Sequence, residues 1–260
     1  MKDFKVITSR ENSLIKLTSL LQSSRNAREE NGLFVLEGLR ICKDANENGI
    51  RFDKLIISDS AYLKFEEEVK LYSENSTECF KIPDNLFKKI SDTSSPQGII
   101  AIAKISQTDS AKLNSKGRYI ALENLQDPSN LGAISRTAEA LGVSGIILFG
   151  GGCDPFSPKV LRASMGTLLR MPIIITKDFF SEARELKLKT YACVVDNDAL
   201  SVNNLELTDG CVFLIGNEAN GLTEKTKALS DYCVTIPMKG RAESLNAAVA
   251  ASIVMWEMMK

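Results

Sequence analysis

Residues 119–142 read YIALENLQDPSNLGAISRTAEALG, an apolar run followed by a segment of helical length. Within the second part, Pro128 and Ser129 suit the start of a helix and Gly142 suits its end. The apolar side chains between them fall on one stripe at about 100° per residue. They are Leu131, Ile134, Ala138 and Leu141. The stretch therefore predicts a buried strand followed by an amphipathic helix.

Comparable apolar runs recur through the rest of the chain and are separated by helix-length segments. Their continuous apolar character is typical of parallel strands that are covered on both faces. The six runs are YIALEN (119–124), GIILFG (145–150), PIIIT (172–176), TYACVV (190–195), CVFLIG (211–216) and YCVTIP (232–237). We therefore expect a parallel α/β sheet within residues 118–260.

The preceding part of the chain predicts a second, smaller α/β domain. Helical spacing at Leu14 to Leu21 is followed by FVLEGLR (34–40), another helical stretch, KLIIS (54–58) and GIIAIAKI (98–105). The segment QTDSAKLNSKG (107–117) is polar and has no apolar period, which is typical of a linker. We expect domains at 1–106 and 118–260, joined by a linker at 107–117.

The composition of the 260 residues excludes several classes of function. With 44% hydrophobic and 25% charged residues the chain is globular, and the absence of histidine excludes imidazole bases and histidine-ligated metals. Six cysteines without a C-x-x-C motif predict a reducing, cytoplasmic location. The longest uncharged apolar stretch, 244–256, is too short for a membrane span. A net charge of −1 neither indicates nor excludes a nucleic-acid partner.

Parallel sheets bind ligands at the carboxyl ends of their strands, so the loops after the apolar runs are the candidate site. Two glycines, Gly216 and Gly221, would allow close approach of a ligand to the main chain. The sequence contains neither G-x-G-x-x-G nor G-x-x-x-x-G-K-[ST], which argues against a Rossmann oxidoreductase or a P-loop ATPase. Simple alternatives stay open: Arg136 as a solvated arginine, Glu218 as a first-turn acid and Ser244 as a helix N-cap.

Three segments in this order carry a family resemblance. NLQDPSNLGAISRTAEALG, LIGNEANGL and IPMKGRAESLNAAVAAS resemble the signature motifs of the SpoU-type (TrmH-like) RNA ribose 2′-O-methyltransferases of the SPOUT superfamily. DPFSPK (154–159) and RASMG (162–166) resemble the segment that connects these motifs. FVLEG (34–38) and SPQGI (95–99) resemble the family's ribosomal-protein-like substrate-binding domain. The resemblance implies an α/β fold with a trefoil-knotted parallel-sheet methyltransferase domain, preceded by a small α/β substrate-binding domain.

The resemblance also implies a chemistry: methyl transfer from S-adenosylmethionine to a ribose 2′-hydroxyl of structured RNA, with ribosomal RNA favoured and no metal. The catalytic residues that it implies are Arg136, Asn130, Glu218, Ser244 and Asn246. The cofactor-binding residues are Leu214, Gly216, Asn217, Gly221, Ile236, Met238 and Leu245. A guanidinium with a pKa above about 12 is a poor base, so Arg136 is expected to clamp a phosphate and stabilise alkoxide charge. The base stays unassigned.

Similar enzymes are homodimers packed through the knot, and this chain ends in a helix with apolar residues on every face. We therefore expect the helix to be covered all round, in part by a second copy. Three alternatives remain: a transfer-RNA ribose methyltransferase, a non-catalytic RNA-binding or ribosome-assembly protein of the same fold, and a nicotinamide-dependent oxidoreductase.

Overall fold

The computed structural model describes residues 2–107, 112–196, 198–207 and 209–260. It divides into two compact units, the first formed by Met1–Thr108 with Asp154–Arg170, the second by Asp109–Cys153 with Met171–Lys260. Residues 108–111 of the predicted linker lie outside the described residues. None of the described helices has both the length and the apolar content that crossing a membrane requires.

The first unit is built on a five-stranded mixed sheet. Its elements are β1 (Phe4–Val6), α1 (Ser13–Ser23), α2 (Arg25–Asn31), β2 (Leu33–Glu37), α3 (Leu39–Glu47), β3 (Phe52–Ser58), α4 (Asp59–Lys64), α5 (Glu66–Glu74), β4 (Ser76–Ile82), α6 (Asp84–Ile90) and β5 (Ile99–Lys104), with 3-10 turns at Ile105–Gln107 and Thr167–Leu169. The strand order is β1-β4-β3-β5-β2, with β5 antiparallel to both neighbours. Along β3, Leu55 and Ile57 enter one apolar cluster and Ile56 the other, so side chains pack on both faces of the sheet.

The second unit carries a seven-stranded, fully parallel sheet. Continuing the numbering along the chain, the elements are β6 (Arg118–Glu123), α7 (Pro128–Leu141), β7 (Gly145–Phe149), α8 (Pro158–Ala163, in the first unit), β8 (Ile173–Thr176), α9 (Phe180–Glu185), β9 (Lys189–Cys193), β10 (Leu200–Ser201), a 3-10 turn (Val202–Asn204), β11 (Cys211–Ile215), α10 (Glu224–Leu229), β12 (Tyr232–Thr235) and α11 (Ala247–Met259). The strand order is β10-β12-β9-β11-β6-β7-β8.

The sequence predictions for the strands agree with these elements, with three omissions. All six apolar runs of the second unit form strands, and the three runs of the first unit form β2, β3 and β5. The omitted strands are β1, β4 and β10. β1 and β10 have three and two residues, and charged Glu78 and Lys81 interrupt the apolar pattern of β4. Helix α7 has the predicted start and ends at Gly142, whose φ of 76° is left-handed.

The predicted contiguous domain division does not describe residues 154–170, which pack within the first unit. The Nε of Arg28 donates to a carboxylate oxygen of Asp154 at 2.6 Å, and both side chains are at most 11% exposed. The ring of Phe156 lies 5.2 Å from that of Phe34. These partners are more than 100 residues apart in the chain, so no local pattern indicates that they meet.

Helix α11 is buried on one side only. Ala251, Val254 and Met255 are fully buried, whereas Val249 and Trp256 are 47% and 57% exposed. Within the single chain, β6, β11 and α7 pack against one side of the helix, and the expectation that a second copy covers the remainder stays a prediction.

Candidate active site

A cleft of about 660 Å³ lies at the carboxyl ends of β9, β11 and β12. Its walls include residues from the loops that follow all three strands. Nine of the predicted site residues line it: Gly216, Asn217, Glu218, Gly221, Ile236, Met238, Ser244, Leu245 and Asn246. The loops that follow β11 and β12 therefore meet at one site, as the resemblance required. Parallel strands that end at one edge of the sheet bring together loops that are distant in sequence.

The loop after β11 is a tight turn whose first residue, Gly216, has no room for a side chain. The main-chain N–H of Asn217 donates to the carbonyl of Gly221 at 3.1 Å, and the N–H of Gly221 donates back at 2.9 Å. A Cβ atom on Gly216 would lie 2.0 Å from the carbonyl carbon of Gly221. Gly221 itself has a φ of 66°, which favours glycine. The turn therefore exposes main chain, with little side-chain bulk, to the cleft.

The side chain of Asn217 fastens this turn to the loop after β6. Its Nδ2 donates to the carbonyl oxygen of Asn124 at 2.9 Å, and its Oδ1 accepts from the N–H of Ala219 at 2.9 Å. Since both ends of the amide are engaged within the protein, Asn217 fixes the shape of the cleft. Its main-chain N–H and carbonyl are likewise paired with Gly221, so Asn217 shapes the cleft wall through both its main chain and its side chain.

Asn246 is the N-cap of α11. Its Oδ1 accepts from the N–H groups of Ala248 at 2.9 Å and Val249 at 3.3 Å, which satisfies two donors of the first turn. The alternative interpretation of Ser244 as the N-cap is therefore wrong, because the N-cap lies two residues later, at Asn246. Ser244 is exposed and lines the cleft.

A chain of hydrogen bonds joins the three motif loops. The Nδ2 of Asn246 donates to the Oδ1 of Asn130 at 3.0 Å, and the Nδ2 of Asn130 donates to the Oε1 of Glu218 at 2.9 Å. Asn130 is only 5% exposed and does not line the cleft. Asn130 connects Asn246 and Glu218, which do line the cleft. Its side chain therefore lies between the loops and does not face the space that a ligand would occupy.

Glu218 is the acceptor at the end of this chain. Partial burial by itself raises the pKa of Glu218, but hydrogen bonds from Asn130 and from the main-chain N–H groups of Asp127 and Gln126 outweigh that effect. The net result is a pKa below the usual value of 4.5. Both N–H donors lie 3.1 Å from carboxylate oxygens. Glu218 is therefore ionised and saturated with donors, which suits it to holding the loops and not to removing a proton.

Leu214 does not line the cleft, contrary to its predicted role as a cofactor wall. It is fully buried in the apolar core with Ala121 and Val212. The neighbouring Ile215 lines the cleft instead. Successive side chains of a strand point to opposite faces of the sheet. The motif indicated Leu214 as the wall residue, whereas the strand turns the side chain of Ile215 towards the cleft.

Arg136 is likewise not among the residues that line the cleft. It lies on α7, six residues or about 9 Å along the helix from Asn130, and its side chain is exposed. Within the described part of the chain, no ion pair or hydrogen bond joins its guanidinium to another residue. A single copy therefore presents Arg136 to the outside and not to the donor site.

Sequence reasoning missed Glu123, a carboxylate that is only 5% exposed at the end of β6. It accepts from the N–H and hydroxyl of Thr223, both at 2.8 Å, and from the hydroxyl of Thr226 at 2.7 Å. These bonds fix the start of α10 directly after the Gly221 turn. The available signal was the acidic residue inside the apolar run YIALEN, since a buried carboxylate needs several donors. The loop after β9, with Asp196 in the cleft wall, was also missed.

The residues of the cleft fit S-adenosylmethionine. Apolar side chains suited to an adenine ring come from several loops, and the Gly216 and Gly221 main chain allows close approach. The apolar wall residues are Ile215, Leu222, Ile236, Met238 and Leu245. The cleft volume also falls within the range of small-molecule sites, about 300–1,000 Å³.

The parallel sheet, with a cleft of this size and lining at the carboxyl ends of its strands, is the architecture of an α/β methyltransferase that binds S-adenosylmethionine, and the comparisons with known proteins agree with this class. The model of the SpoU rRNA methylase family matches residues 117–256, and that of the MRM3-like substrate-binding domain matches residues 12–101. The chain belongs to the SpoU rRNA methylase family. Its fold class is the one that the resemblance implied, a SpoU-type methyltransferase domain preceded by a small α/β substrate-binding domain.

Relatives of known name match the chain over nearly its full length. The 23S rRNA (guanosine(2553)-2′-O)-methyltransferase RlmP of Bacillus subtilis is 26% identical, with 98% of this chain and 99% of that protein covered. The 23S rRNA (uridine(2479)-2′-O)-methyltransferase of Streptomyces viridochromogenes is 29% identical, with 98% and 91% covered. The AdoMet-bound rRNA methyltransferase of Sinorhizobium meliloti is 29% identical and superposes with a TM-score of 0.85, covering 98% and 97% of the two chains.

Proposed function

We propose that the protein transfers the methyl group of S-adenosylmethionine to a ribose 2′-hydroxyl of ribosomal RNA. The observation that carries this proposal is the cleft whose loops are joined by Glu218, Asn130 and Asn246. The relatives that act on 23S ribosomal RNA match both units of the chain, which favours ribosomal over transfer RNA.

When bound, S-adenosylmethionine supplies an activated methyl carbon, so the new O–C bond forms as the S–C bond breaks. The protein must align the hydroxyl oxygen with that bond and accept the hydroxyl proton. The main chain at Gly216 and Ile236, with the side chains of Met238 and Leu245, would hold the donor. Ser244, exposed in the cleft, and Asn246 would orient the methionine end or the ribose.

Arg136 would clamp the phosphate beside the target ribose and stabilise the developing alkoxide. Its planar guanidinium suits bidentate phosphate binding, and its high pKa makes it unsuited to accept the proton. Since one copy directs Arg136 away from its own cleft, we propose that the residue acts across a subunit interface.

A homodimer would supply that interface. Helices α7 and α11 lie side by side, with the hydroxyl of Ser252 3.3 Å from that of Thr137. Val249 and Trp256, about one turn on either side of Ser252, leave apolar side chains open to solvent, and Arg136, which precedes Thr137 on α7, is also exposed. A second copy covering this surface would bury the two apolar side chains and the first-motif helix together.

Two measurements test the proposed activity. Titration with S-adenosylmethionine and, separately, with NAD is expected to give saturable binding of the first alone. Incubation of ribosomal RNA from cells that lack the gene with tritiated S-adenosylmethionine is expected to label one ribose, which alkaline cleavage would locate by its resistance. Donor binding without transfer to ribosomal RNA, but with transfer to transfer RNA, would favour the alternative substrate. RNA binding without any transfer would indicate a non-catalytic protein.

The cytoplasmic location expected from cysteine usage stays a prediction. All six cysteines are in the thiol form in this structure. Fractionation of cells that carry a tagged chain is expected to recover it with the ribosome-containing cytoplasm.

A further inference from the structure

A second cavity, of about 380 Å³, lies near the amino ends of β9 and β12, away from the carboxyl ends where the donor cleft lies. Three basic side chains line it: Arg184, Lys187 and Lys189. Lys189 opens β9, whereas the donor cleft begins at the other end of that strand, at Cys193. Four residues of strand separate the two positions by about 13 Å. The cavity is therefore distinct from the proposed catalytic site.

The three cations have no counter-charge within ion-pair distance among the described residues. Asp231 is the acidic residue in the cavity wall, so one negative charge stands against three positive ones. One oxygen accepts from both the N–H and the hydroxyl of Thr190, at 2.8 Å each. Arg184, Lys187 and Lys189 are all exposed, so their positive charge is presented to solvent. Clustered basic groups of this kind attract an anionic partner.

Lys187 has a left-handed backbone conformation, which glycine adopts more readily than lysine. It follows α9 with a φ of 59°, in the left-handed region where glycine is the usual helix-ending residue. Its N–H donates to Arg184 at 3.0 Å, and the N–H of Leu188 donates to Ala183 at 2.8 Å, the pattern of a Schellman cap. A lysine held in a strained conformation beside two other cations suggests a role for its charge.

An aromatic stack ends beside these cations. The ring of Phe213 stacks on that of Tyr191 at 4.8 Å, and Tyr191 stacks on Tyr232 at 5.2 Å. Tyr232 is the outermost ring and remains 40% exposed, and the Nζ of Lys189 lies 6.0 Å from its centroid. Positive side chains with an exposed aromatic ring form the combination that binds single-stranded nucleic acid, through phosphates and base stacking.

We propose that this surface, formed by Arg184, Lys187, Lys189 and Tyr232, is a secondary binding site for a single-stranded part of the RNA substrate. The cations contact phosphates and the Tyr232 ring stacks on a base. The proposal rests on the proposed function, since it concerns the RNA that the enzyme methylates. It adds a point of attachment about 13 Å or more from the donor cleft that would raise affinity for long substrates without touching the reacting atoms.

The first test uses a fluorescein-labelled 12-nucleotide oligouridylate, with anisotropy measured over a series of salt concentrations. Combining Arg184→Ala, Lys187→Ala and Lys189→Ala is expected to weaken binding at least about tenfold. The slope of log K against log salt is expected to fall by about 0.7 for each phosphate that the triple variant no longer neutralises. Lys177→Ala is the matched control, because Lys177 is exposed in the same unit and lines neither cavity. Equally weakened binding in the control and the triple variant would overturn the proposal.

A second variant separates binding from folding. Lys187→Gly removes one positive charge and puts glycine, which readily adopts a positive φ, at this position. The Tm of the variant is therefore expected to equal or exceed that of the wild type. Its RNA affinity is expected to fall. Wild-type affinity in this stable variant would show that the strained lysine has no part in binding.

The aromatic contribution has its own pair of variants. Tyr232→Ala is expected to weaken oligouridylate binding several-fold, whereas Tyr232→Phe, which keeps the ring, is expected to bind as the wild type does. Wild-type affinity in Tyr232→Ala would contradict base stacking. Binding of a 12-residue polyglutamate as tight as that of the RNA would instead indicate an acidic protein partner and overturn the proposal.

Methyl transfer to ribosomal RNA distinguishes failure of this inference from failure of the proposed function. In the triple variant, KM for RNA is expected to rise at least about tenfold while kcat and the affinity for S-adenosylmethionine stay unchanged. If the wild type methylates RNA and the triple variant has the same KM, this site is not used. If the wild type binds the donor but methylates no RNA, the proposed function fails first.

Discussion

The side-chain amide of Asn246 donates to that of Asn130 over 3.0 Å, across 116 positions of sequence. The bond connects the start of the last helix to the first turn of α7, and Asn130 continues it to Glu218. One amide side chain thus joins the other two loops of the site. Donor binding and the geometry of the cleft should both depend on it.

Asn130→Ala is expected to reduce kcat strongly while the fold persists. The change leaves Glu218 and Asn246 each without one partner, but both side chains are exposed and water can replace the lost bonds, so the expected cost is that of ordinary hydrogen bonds, about 0.5–1.5 kcal/mol each. Single-turnover methyl transfer and urea unfolding together measure the two effects. Asn130→Asp is the sharper variant, because its carboxylate would lie beside that of Glu218 and the two would repel each other. Activity equal to the wild type in this variant would show that the hydrogen bond between residues 130 and 218 is not needed for catalysis.

Gly216→Ala is expected to reduce affinity for S-adenosylmethionine by at least about tenfold, equivalent to about 1.4 kcal/mol. The added Cβ would meet the main chain of Gly221 at 2.0 Å, so the turn must move. Isothermal titration measures the change in affinity. Gly240→Ala is the matched control in the third motif loop, because a Cβ there has no neighbour within 4 Å. Similar donor affinity in the two variants would contradict the role of the tight turn.

Stability is expected to depend on Glu218 at acidic pH. Its pKa is depressed in the folded protein relative to the usual 4.5, so its ionised form favours folding at pH values above the unfolded pKa. That contribution is lost as the pH falls from about 4.5 through the folded pKa. The difference in unfolding free energy between the wild type and Glu218→Gln, measured from pH 7 to pH 3, should therefore shrink at the acidic end. A difference that is constant with pH would exclude this coupling.

Trp256→Glu is expected to convert the proposed homodimer to a monomer. A charge on the exposed apolar surface of α11 could not be buried against a second copy without a large desolvation cost. Size-exclusion chromatography with light scattering is expected to give about twice 28.5 kDa for the wild type and 28.5 kDa for the variant. Leu63→Glu, at a leucine that is 82% exposed in the first unit, should leave the mass unchanged. A wild type of 28.5 kDa at micromolar concentration would contradict the dimer.

Arg136→Ala is expected to lower methyl transfer on the order of 100-fold or more without changing stability, since the side chain is exposed. Asn246→Ala is expected to abolish transfer while retaining the fold, with about 1 kcal/mol lost from the helix cap.

If Arg136 acts across the interface, mixing and re-equilibrating the two inactive variants should restore part of the activity, because one of the two sites in a mixed dimer holds both an intact Arg136 and an intact Asn246. Activity that stays at the level of the single variants would place Arg136 in its own subunit's site.

The sequence alone determined nine of the twelve strands and the order of the functional loops. Strands such as GIILFG and CVFLIG have no polar or charged position, and the repetition of such runs between helix-length segments favours a parallel sheet covered on both faces. The start of α7 and its end at Gly142 follow from cap chemistry, which is local. The three motif segments were sufficient to identify the family and the donor class.

Tertiary structure alone decided which side chains face the cleft and which residues bind one another. Leu214 and Ile215 are equally apolar, and the pleat of β11 sends the first into the core and the second into the cleft wall. Residues 154–170 join the first unit because Asp154 and Phe156 find buried partners more than 100 residues away. Periodicity and capping reflect forces between neighbours in sequence, whereas these contacts depend on distances that exist only after the chain has folded.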